Sequence, residues 1–305
     1  MFRSGFIALV GMPNSGKSTL LNALVGEKVA IVSPKPQTTR RRVQGIVTTP
    51  EAQLILVDAP GVLESTSSEL NKFLIQEYQD VLSEADGALA IIPADEKSLE
   101  RTEKILDLVK RSKKPFLLVV NKADLLSEAE RAELAERLKQ LPQLAELKEK
   151  DIPILFTSAL HAANEARSSI VSLAASLLPE SPALYDQELF TTETLRDMAA
   201  EIVREKCFFN LHQEIPFGLA VKITAFNEEP KMTRIEADIL VERESHKKIV
   251  IGEKANQLKR IGTEARKELE KVLGTKVFLG LHVVCKPRWM QDKALLKELG
   301  YVKRD

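Results

Sequence analysis

Residues 11–18 combine two glycines, a lysine and a serine in the spacing GxxxxGK[ST] of a phosphate-binding loop. In such a loop, main-chain N–H groups surround an anion, and the following helix contributes the positive end of its dipole. We expect Lys17 to reach the β and γ phosphates of a nucleotide, and the Ser18 hydroxyl to bind Mg²⁺. The alternative, a glycine-rich turn with a surface lysine, is disfavoured by the strand-loop-helix pattern. The predicted nucleotide-binding residues of this loop are Gly11, Met12, Pro13, Asn14, Ser15, Gly16, Lys17 and Ser18.

A second motif, DxxG, directly follows the apolar run 53–57. Its aspartate therefore stands at the carboxyl end of a buried strand, where open α/β sheets bind ligands. A carboxylate there can hold the metal through its water shell, while the glycine N–H can bond a γ phosphate. DxxG is weak alone and becomes informative after a phosphate-binding loop. The residues added to the predicted site are Asp58, Ala59, Pro60, Gly61 and Val62.

A third motif, NKxD, ends the apolar run 116–120. Asp124 can accept two hydrogen bonds from the ring N–H and the amino group of guanine, a pattern that adenine does not present. A wrong base would leave this carboxylate unpaired, at a large penalty. Ser158 and Ala159 follow the next strand, and the Ala159 N–H could bond the guanine oxygen. An Asn/Asp pair that only caps a helix is the alternative for NKxD. The predicted base-binding residues are Asn121, Lys122, Ala123, Asp124, Ser158 and Ala159.

The elements that must position these motifs alternate between short apolar runs and amphipathic stretches. Runs of four to six residues rich in Val, Ile and Leu predict strands buried on both faces, at 5–10, 53–57, 87–92, 115–120 and 152–157. Helical patterns stand between them at 17–25, 70–82, 98–111 and 128–141. This order predicts an α/β domain with a doubly wound, mainly parallel sheet over residues 1–180.

Two prolines, at 179 and 182, mark a change of pattern. We predict a linker at 181–190 and a second, smaller α+β domain at 191–305. Its expected elements are helices at 194–211, 255–260, 263–273 and 291–299, strands at 217–226, 233–243 and 276–285, and a short apolar run at 249–251.

Composition restricts the class of protein further. With 305 residues, 44% apolar and 29% charged, the chain is long enough for about two globular domains. The 44 basic and 44 acidic residues cancel, yet residues 243–304 hold 16 basic and 7 acidic side chains. A nucleic acid or membrane would therefore need this local patch. Cys207 and Cys285 lack metal-ligand spacing, and we expect buried, reduced thiols in a cytoplasmic protein without a signal peptide or membrane span.

The three motifs and the Ser158-Ala159 segment, four elements in this order, resemble a GTPase of the translation-factor class. Five further segments resemble the Era family in particular, which has an N-terminal GTPase domain and a C-terminal KH domain of type II. They are Pro36-Gln37-Thr38-Thr39-Arg40, the link 178–182, Glu201-Ile202-Val203-Arg204-Glu205-Lys206, Glu214-Ile215-Pro216 and Ile249-Val250-Ile251-Gly252. The resemblance covers nearly the whole chain.

The resemblance implies that residues 36–40 are the first switch and that Asp58 to Gly61 begin the second. Thr39, preferred over the identical neighbour Thr38, would meet Mg²⁺ and the γ phosphate. The implied catalytic residues are Lys17, Thr39 and Gly61, and the implied metal ligands are Ser18, Thr39 and Asp58. Val62 stands where Ras-like enzymes have a water-orienting glutamine. The family therefore points to Asn14 as a candidate K⁺ ligand that assists hydrolysis.

In KH domains a GxxG loop joins two helices and clamps the backbone of about four single-stranded nucleotides. Here the loop reads Gly252-Glu253-Lys254-Ala255, so alanine replaces the second glycine. Trp289 either stacks on a base or has a packed-core or hinge role. Arg266 and Lys267, interleaved with glutamates, fit a solvated helix surface. The predicted RNA-binding residues are Lys247, Lys248, Ile251, Gly252, Lys254, Lys259 and Arg260.

The implied partners are GTP or GDP, 16S ribosomal RNA and the small (30S) ribosomal subunit, whose assembly the family assists. The family also implies peripheral association with the inner face of the cell membrane, which no residue here supports independently. We expect a monomer. Two alternatives stay open: an RNA-binding scaffold with a weakly active nucleotide pocket, and a P-loop ATPase or kinase. The second leaves Asn121 and Asp124 unexplained.

Overall fold

The computed structural model describes residues 1–35, 38–61, 69–96, 99–145, 152–161 and 164–301. Contacts divide the chain into two compact units. The first contains Met1–Ala30, Arg42–Val62 and Ile75–Thr192, and the second contains Ile31–Arg41, Leu63–Leu74 and Glu193–Asp305. The second unit therefore includes two stretches from the N-terminal third of the sequence. The predicted boundaries of the domains and the linker stay predictions.

The first unit is built on a six-stranded sheet with the strand order β2-β3-β1-β4-β5-β6. Every neighbouring pair is parallel except β2 with β3, which confirms the predicted mainly parallel α/β fold. The strands are β1 (Arg3–Val10), β2 (Val43–Thr48), β3 (Ala52–Asp58), β4 (Gly87–Pro93), β5 (Phe116–Asn121) and β6 (Ile154–Phe156). The helices are α1 (Lys17–Val25), α2 (Glu69–Glu84), α3 (Leu99–Ser112), α4 (Glu128–Lys139), α5 (Pro142–Ala145) and α6 (Asn164–Ser176). The first six residues of α2 belong to the second unit.

The central strands of this sheet are apolar at successive positions because both of their faces are covered. In β1, Ile7 and Leu9 belong to one buried cluster and Ala8 and Val10 to the other. The first cluster also contains side chains of α1 and α6, and the second contains side chains of α2 and α3. Burial on both faces fixes the position of the strands whose ends carry the predicted motifs.

The second unit contains a three-stranded sheet with the order β7-β8-β9. Its strands are β7 (Leu219–Glu229), β8 (Met232–Val241) and β9 (Lys276–Cys285), with β7 antiparallel and β9 parallel to β8. Its helices are α7 (Leu195–Asn210), α8 (Glu244–Ile251), α9 (Asn256–Leu273) and α10 (Lys293–Glu298). Side chains of α7 and α9 join inward-facing residues of the three strands in one buried cluster. This is the predicted α+β domain with a mixed sheet.

The structure differs from the predicted elements at three places in this unit. One helix, α9, replaces the two predicted at 255–260 and 263–273. Its buried stripe of Ile261, Ala265 and Leu269 continues past Gly262, which costs only the usual penalty of an interior glycine. The apolar run 249–251 ends helix α8. The two cysteines are free, and Cys207 is buried as expected whereas Cys285 is half-buried.

Among the described residues, no helix combines the length and apolar character that crossing a membrane requires.

Candidate functional site

The three predicted motifs follow strands β1, β3 and β5, which run parallel in one sheet. The Ser158-Ala159 pair comes shortly after β6, which is parallel to β5. The carboxyl ends of parallel strands meet at one edge of a sheet, so all four segments lie along the same edge. The topology therefore brings the phosphate and base motifs of the first unit together.

The phosphate loop packs too closely for side chains at its glycines. Gly16 has φ +88°, and a Cβ there would lie 2.2 Å from Asn121 Nδ2. A Cβ on Gly11 would lie 2.6 Å from both the Ile91 carbonyl oxygen and Ser15 Oγ. Ser15 Oγ itself is buried and has no hydrogen-bond partner among the described residues. The loop is a main-chain cradle with a spare hydroxyl, as an anion site requires.

Lys17 begins helix α1 and is 7% exposed. Its ammonium donates to the carbonyl oxygens of Gly11 at 3.2 Å and Met12 at 3.4 Å. Burial lowers the pKa of this ammonium, and the charge of Asp58 opposes that effect. A buried cation with neutral acceptors in its own loop is well placed to receive an anionic phosphate.

Ser18 and Asp58 meet across the two loops, where Ser18 Oγ donates to Asp58 Oδ2 at 2.5 Å. A hydroxyl and a carboxylate are the oxygen donors that Mg²⁺ prefers. These two residues therefore fit the predicted magnesium site. Gly61 also approaches the phosphate loop, since a Cβ there would lie 3.1 Å from Pro13. Val62 lies outside the described residues.

Asn121 ties the base motif to the phosphate loop. Its Nδ2 donates to the Ser15 carbonyl at 3.0 Å, and its Oδ1 accepts from the Ala159 N–H at 3.0 Å. One carboxamide thus joins segments that are 106 and 38 residues away in sequence. The absence of a side chain at Gly16 leaves room for this amide.

Asp124 lies exposed beside Ser158. The Ser158 hydroxyl holds the pKa of the Asp124 carboxyl below its usual value, so the group is ionised at neutral pH. Lys122 Nζ lies 3.1 Å from Asp95, and the Arg131 guanidinium donates to the Ala123 carbonyl at 2.7 Å. Asp95 and Arg131 support the motif from neighbouring elements and carry no sequence signal of their own.

The two threonines of the first switch, Thr38 and Thr39, lie in the stretch Ile31–Arg41, which belongs to the second unit. The Thr38 hydroxyl donates to the Lys35 carbonyl at 2.8 Å and lies 2.9 Å from Ser33 Oγ. Thr38 is therefore engaged in a local turn. Pro36 and Gln37 lie outside the described residues.

The GxxG-like loop between α8 and α9 has an unusual backbone. Gly252, Lys254 and Ala255 all have positive φ, of 72°, 49° and 61°. Lys248, Lys254 and Lys259 form no ion pair with a described residue, whereas Arg260 pairs with Glu264 at 3.1 Å. Arg266 pairs with Glu270 at 2.7 Å, which fits the solvated-surface interpretation.

Of the two interpretations left open for Trp289, the packed core is correct. The indole is 0% exposed and donates to the Gly218 carbonyl at 3.0 Å. It therefore offers no surface to a base.

Ala255 carries a Cβ in a left-handed conformation, which costs about 1–2 kcal/mol for an L-residue. We expect Ala255→Gly to raise the free energy of unfolding by about 0.5–1 kcal/mol, because the relieved strain exceeds the added entropy of the unfolded chain. Urea denaturation followed by Trp289 fluorescence measures this. The reciprocal control is Gly274→Ala, at φ +64° with open space around it, which should destabilise. A less stable Ala255→Gly protein would contradict the assignment of strain.

Comparisons with known proteins agree with this geometry. A family model described as a 50S ribosome-binding GTPase matches residues 6–122, and one described as a KH domain matches residues 214–289. The GTPase Era of Geobacter metallireducens is 40% identical over 302 residues, which cover 98% of each chain. The GTPase Era of Ruminiclostridium cellulolyticum is 38% identical over 301 residues, again 98% of each.

Two solved structures are similar over 99% of this chain and 100% of theirs. A variant of Era from Aquifex aeolicus bound to GDP and AlF₄⁻ is 36% identical, with a TM-score of 0.91. Era in complex with MgGDPNP and nucleotides 1506–1542 of 16S ribosomal RNA is 38% identical, with a TM-score of 0.90. Identity and coverage of this extent confirm the resemblance inferred from the motifs, and the chain belongs to the Era family of GTPases.

Proposed function

We propose that this chain is a GTP-hydrolysing switch that binds 16S ribosomal RNA and assists assembly of the small ribosomal subunit. The observation that carries the nucleotide part is the Asn121 side chain, which joins Ser15 of the phosphate loop to Ala159 beside Asp124. This connection fixes the position of the phosphate loop relative to the base-binding segments. An ATPase or kinase would leave the NKxD pair of Asn121 and Asp124 unexplained.

The residues of the first unit then take distinct roles. Main-chain N–H groups of residues 11–18 hold the phosphates, and Lys17 neutralises charge on the β and γ groups. Ser18, Asp58 and Thr39 are the proposed ligands of Mg²⁺, which supplies charge stabilisation at the transferred phosphoryl group. Thr39 is the residue carried over from the family resemblance in preference to its identical neighbour Thr38. Asp124 accepts from guanine. The Ala159 N–H, which was predicted to bond the guanine oxygen, donates to Asn121 Oδ1 in this structure.

The residue after Gly61 is apolar, so orientation of the attacking water falls to the switch backbone and to an added cation. We propose Asn14, exposed in the phosphate loop, as a ligand for K⁺. Single-turnover GTP hydrolysis should be several-fold faster in KCl than in NaCl, since a cation beside the phosphates stabilises developing charge. Asn14 has φ +66°, so Asn14→Gly removes the amide without straining the backbone. This variant should hydrolyse GTP equally fast in both salts.

Equal rates for the unchanged protein in KCl and NaCl would contradict the cation proposal. A persisting difference in Asn14→Gly would reject Asn14 as its ligand.

The second unit would bind RNA through the basic loop between α8 and α9. The bound RNA fragment in the relative belongs to 16S RNA, of the small subunit, and that relative matches 99% of this chain. The family description that mentions the 50S subunit matches only residues 6–122. The small subunit is therefore the better-supported partner. Cytoplasmic location, a monomeric state and peripheral membrane association stay predictions.

Calorimetric titration with an oligonucleotide from the 3′ end of 16S RNA tests the RNA part. For a single strand, each phosphate contact contributes about 0.7 to the slope of log affinity against log salt. Lys254→Ala should lower affinity and reduce this slope by about one contact, because Lys254 stands in the loop itself. Lys271→Ala, in the last turn of α9, is the matched control and should change neither. Unchanged affinity in Lys254→Ala would remove the loop from the RNA site.

A further inference from the structure

Three segments on which the family resemblance rests meet in one buried cluster of the second unit. They are the end of the first switch at residues 38–40, the stretch 201–206 of helix α7, and the residues 214–216 before strand β7. Apart from Thr39, no residue of this cluster has a proposed role in nucleotide or RNA binding.

Arg40 lies at the centre of the cluster and is 3% exposed. Its guanidinium donates to the carbonyl oxygens of Leu219 at 2.5 Å, Phe217 at 2.7 Å and Pro216 at 3.3 Å. The remaining carbonyl of this stretch, at Gly218, accepts from the Trp289 indole at 3.0 Å. Four successive carbonyls, three just before β7 and one at its first residue, thus accept hydrogen bonds from two side chains.

Two aromatic rings flank the same guanidinium. Arg40 Cζ lies 6.0 Å from the Phe208 ring centroid and 5.9 Å from that of Trp289. Arg204 Cζ lies 5.4 Å from the same Phe208 ring. A planar guanidinium that donates in its plane and contacts rings with its faces cannot be replaced by an ammonium without losing most of these contacts.

Helix α7 holds the residues just before Arg40. The Arg204 guanidinium donates to the Thr38 carbonyl and to Glu201, and Lys35 Nζ donates to the Phe208 and Leu211 carbonyls. The Val32 N–H donates to Glu205 Oε1 at 2.9 Å. Contacts from the second unit therefore hold the chain at Val32 and Lys35 and again at Thr38.

A displacement of Thr38 and Thr39 has two outcomes. Either Arg40 leaves its place between the rings, or the first residues of β7 move with it. Densely packed groups of this kind adopt discrete arrangements rather than deforming continuously. Movement of the switch would thus either break the Arg40 contacts or be transmitted to the start of β7.

We propose that Arg40 is a positioning residue that couples the nucleotide state of the first switch to the RNA affinity of the KH unit. This inference rests on the proposed GTP-dependent switching. Arg40 contacts neither nucleotide nor RNA in this account. It acts by fixing the switch to the carbonyls at the start of β7.

The test compares RNA affinity in two nucleotide states. The dissociation constant of a 16S RNA 3′-end oligonucleotide is measured by calorimetry with GDP and with a non-hydrolysable GTP analogue bound. For the unchanged protein we expect the two constants to differ by about tenfold, within the usual range of coupling between sites. In Arg40→Lys the ratio should fall to within about twofold of one, since a lysine cannot reproduce the fork of donors.

Arg42→Lys is the matched control. Arg42 pairs with Glu77 at 2.9 Å and Glu84 at 2.8 Å in the first unit, outside the cluster. It should keep the ratio of the unchanged protein. Trp289, the single tryptophan of the chain, provides an independent readout because it touches Arg40. Its emission should differ between nucleotide states in the unchanged protein and in Arg42→Lys, but not in Arg40→Lys.

Phe208→Leu keeps apolar volume but removes the ring between the two guanidinium groups, and we expect an intermediate ratio. Phe208→Leu replaces Arg40→Lys in the affinity measurement if the Arg40→Lys protein is too unstable to titrate. A ratio of one in the unchanged protein would overturn both the proposed switching and this inference. A ratio near tenfold that persists in Arg40→Lys or in Phe208→Leu would overturn the role of Arg40 alone and leave the switching intact.

Discussion

Replacing Asp124 with asparagine should change the base preference of the protein from guanine to xanthine. In the proposed binding mode the carboxylate accepts two hydrogen bonds from guanine, and hydrogen bonds to charged groups contribute about 1.5–3 kcal/mol each. The carboxamide presents a donor where guanine also presents one. We therefore expect affinity for GDP to fall by about a hundredfold or more. Xanthosine diphosphate has a carbonyl oxygen in place of the 2-amino group of guanine, so it can accept from the carboxamide and should bind to this variant more tightly than GDP.

Calorimetric titration with guanosine, inosine and xanthosine diphosphates measures this preference. The matched control is Glu128→Gln, which neutralises another acidic residue at the start of helix α4. It should retain the order of the unchanged protein. Because the pKa of Asp124 is lowered, the preference for guanine should hold down to mildly acidic pH and weaken only as the carboxyl protonates. An unaltered base order in Asp124→Asn would contradict the assigned recognition.

Replacing Lys17 with methionine should abolish most GTP hydrolysis while leaving the fold intact. Removing one cationic donor aimed at developing charge on a phosphate typically costs about a hundredfold to a thousandfold in turnover. The buried ammonium has only main-chain carbonyls as close acceptors in its own loop. The nucleotide-free variant should therefore unfold at the same or a higher urea concentration.

Single-turnover hydrolysis and urea denaturation of the nucleotide-free protein measure the two effects. Lys104→Met, which removes an exposed lysine paired with Glu100 on α3, should leave both unchanged. Hydrolysis by Lys17→Met at more than about a tenth of the normal rate would remove Lys17 from the reaction. A large loss of stability would indicate a structural role instead.

The elements that were predicted well owe their shape to local sequence. Helix α1 is bounded by two glycines with positive φ, Gly16 before it and Gly26 after it. Its bounds at 17–25 could therefore be predicted from the sequence. Strand β9 matches the predicted 276–285 because turn residues precede it and the segment is rich in valine and other apolar residues. In both cases the signal lies within the element itself.

Strand β2 and helix α6 are among the elements of the first unit that were not predicted. Strand β2 follows three arginines and contains Gly45, features that weaken a strand pattern. The glycine has a tertiary cause, since a Cβ there would lie 2.5 Å from Val25 Cγ2 of helix α1. Helix α6 is rich in serine and alanine, so its apolar periodicity is faint. Both elements are specified by what packs against them.

The candidate site divides in the same way. The glycines, Lys17, Asp58 and Asp124 follow from motifs whose spacing is local. The tie from Asn121 to Ser15 and Ala159 joins three separate strand ends, and only the sheet order brings them together. The acceptors of Arg40 lie 176 to 179 residues away in sequence, beyond any local pattern.

Guanine selectivity is the claim on which the remaining roles depend, and displacement of a bound fluorescent GDP analogue tests it directly. Unlabelled GDP should displace the analogue at comparable concentrations. ADP in about thousandfold excess should leave it bound, because adenine cannot satisfy the Asp124 carboxylate. Displacement by ADP and GDP at equal concentrations would contradict the account.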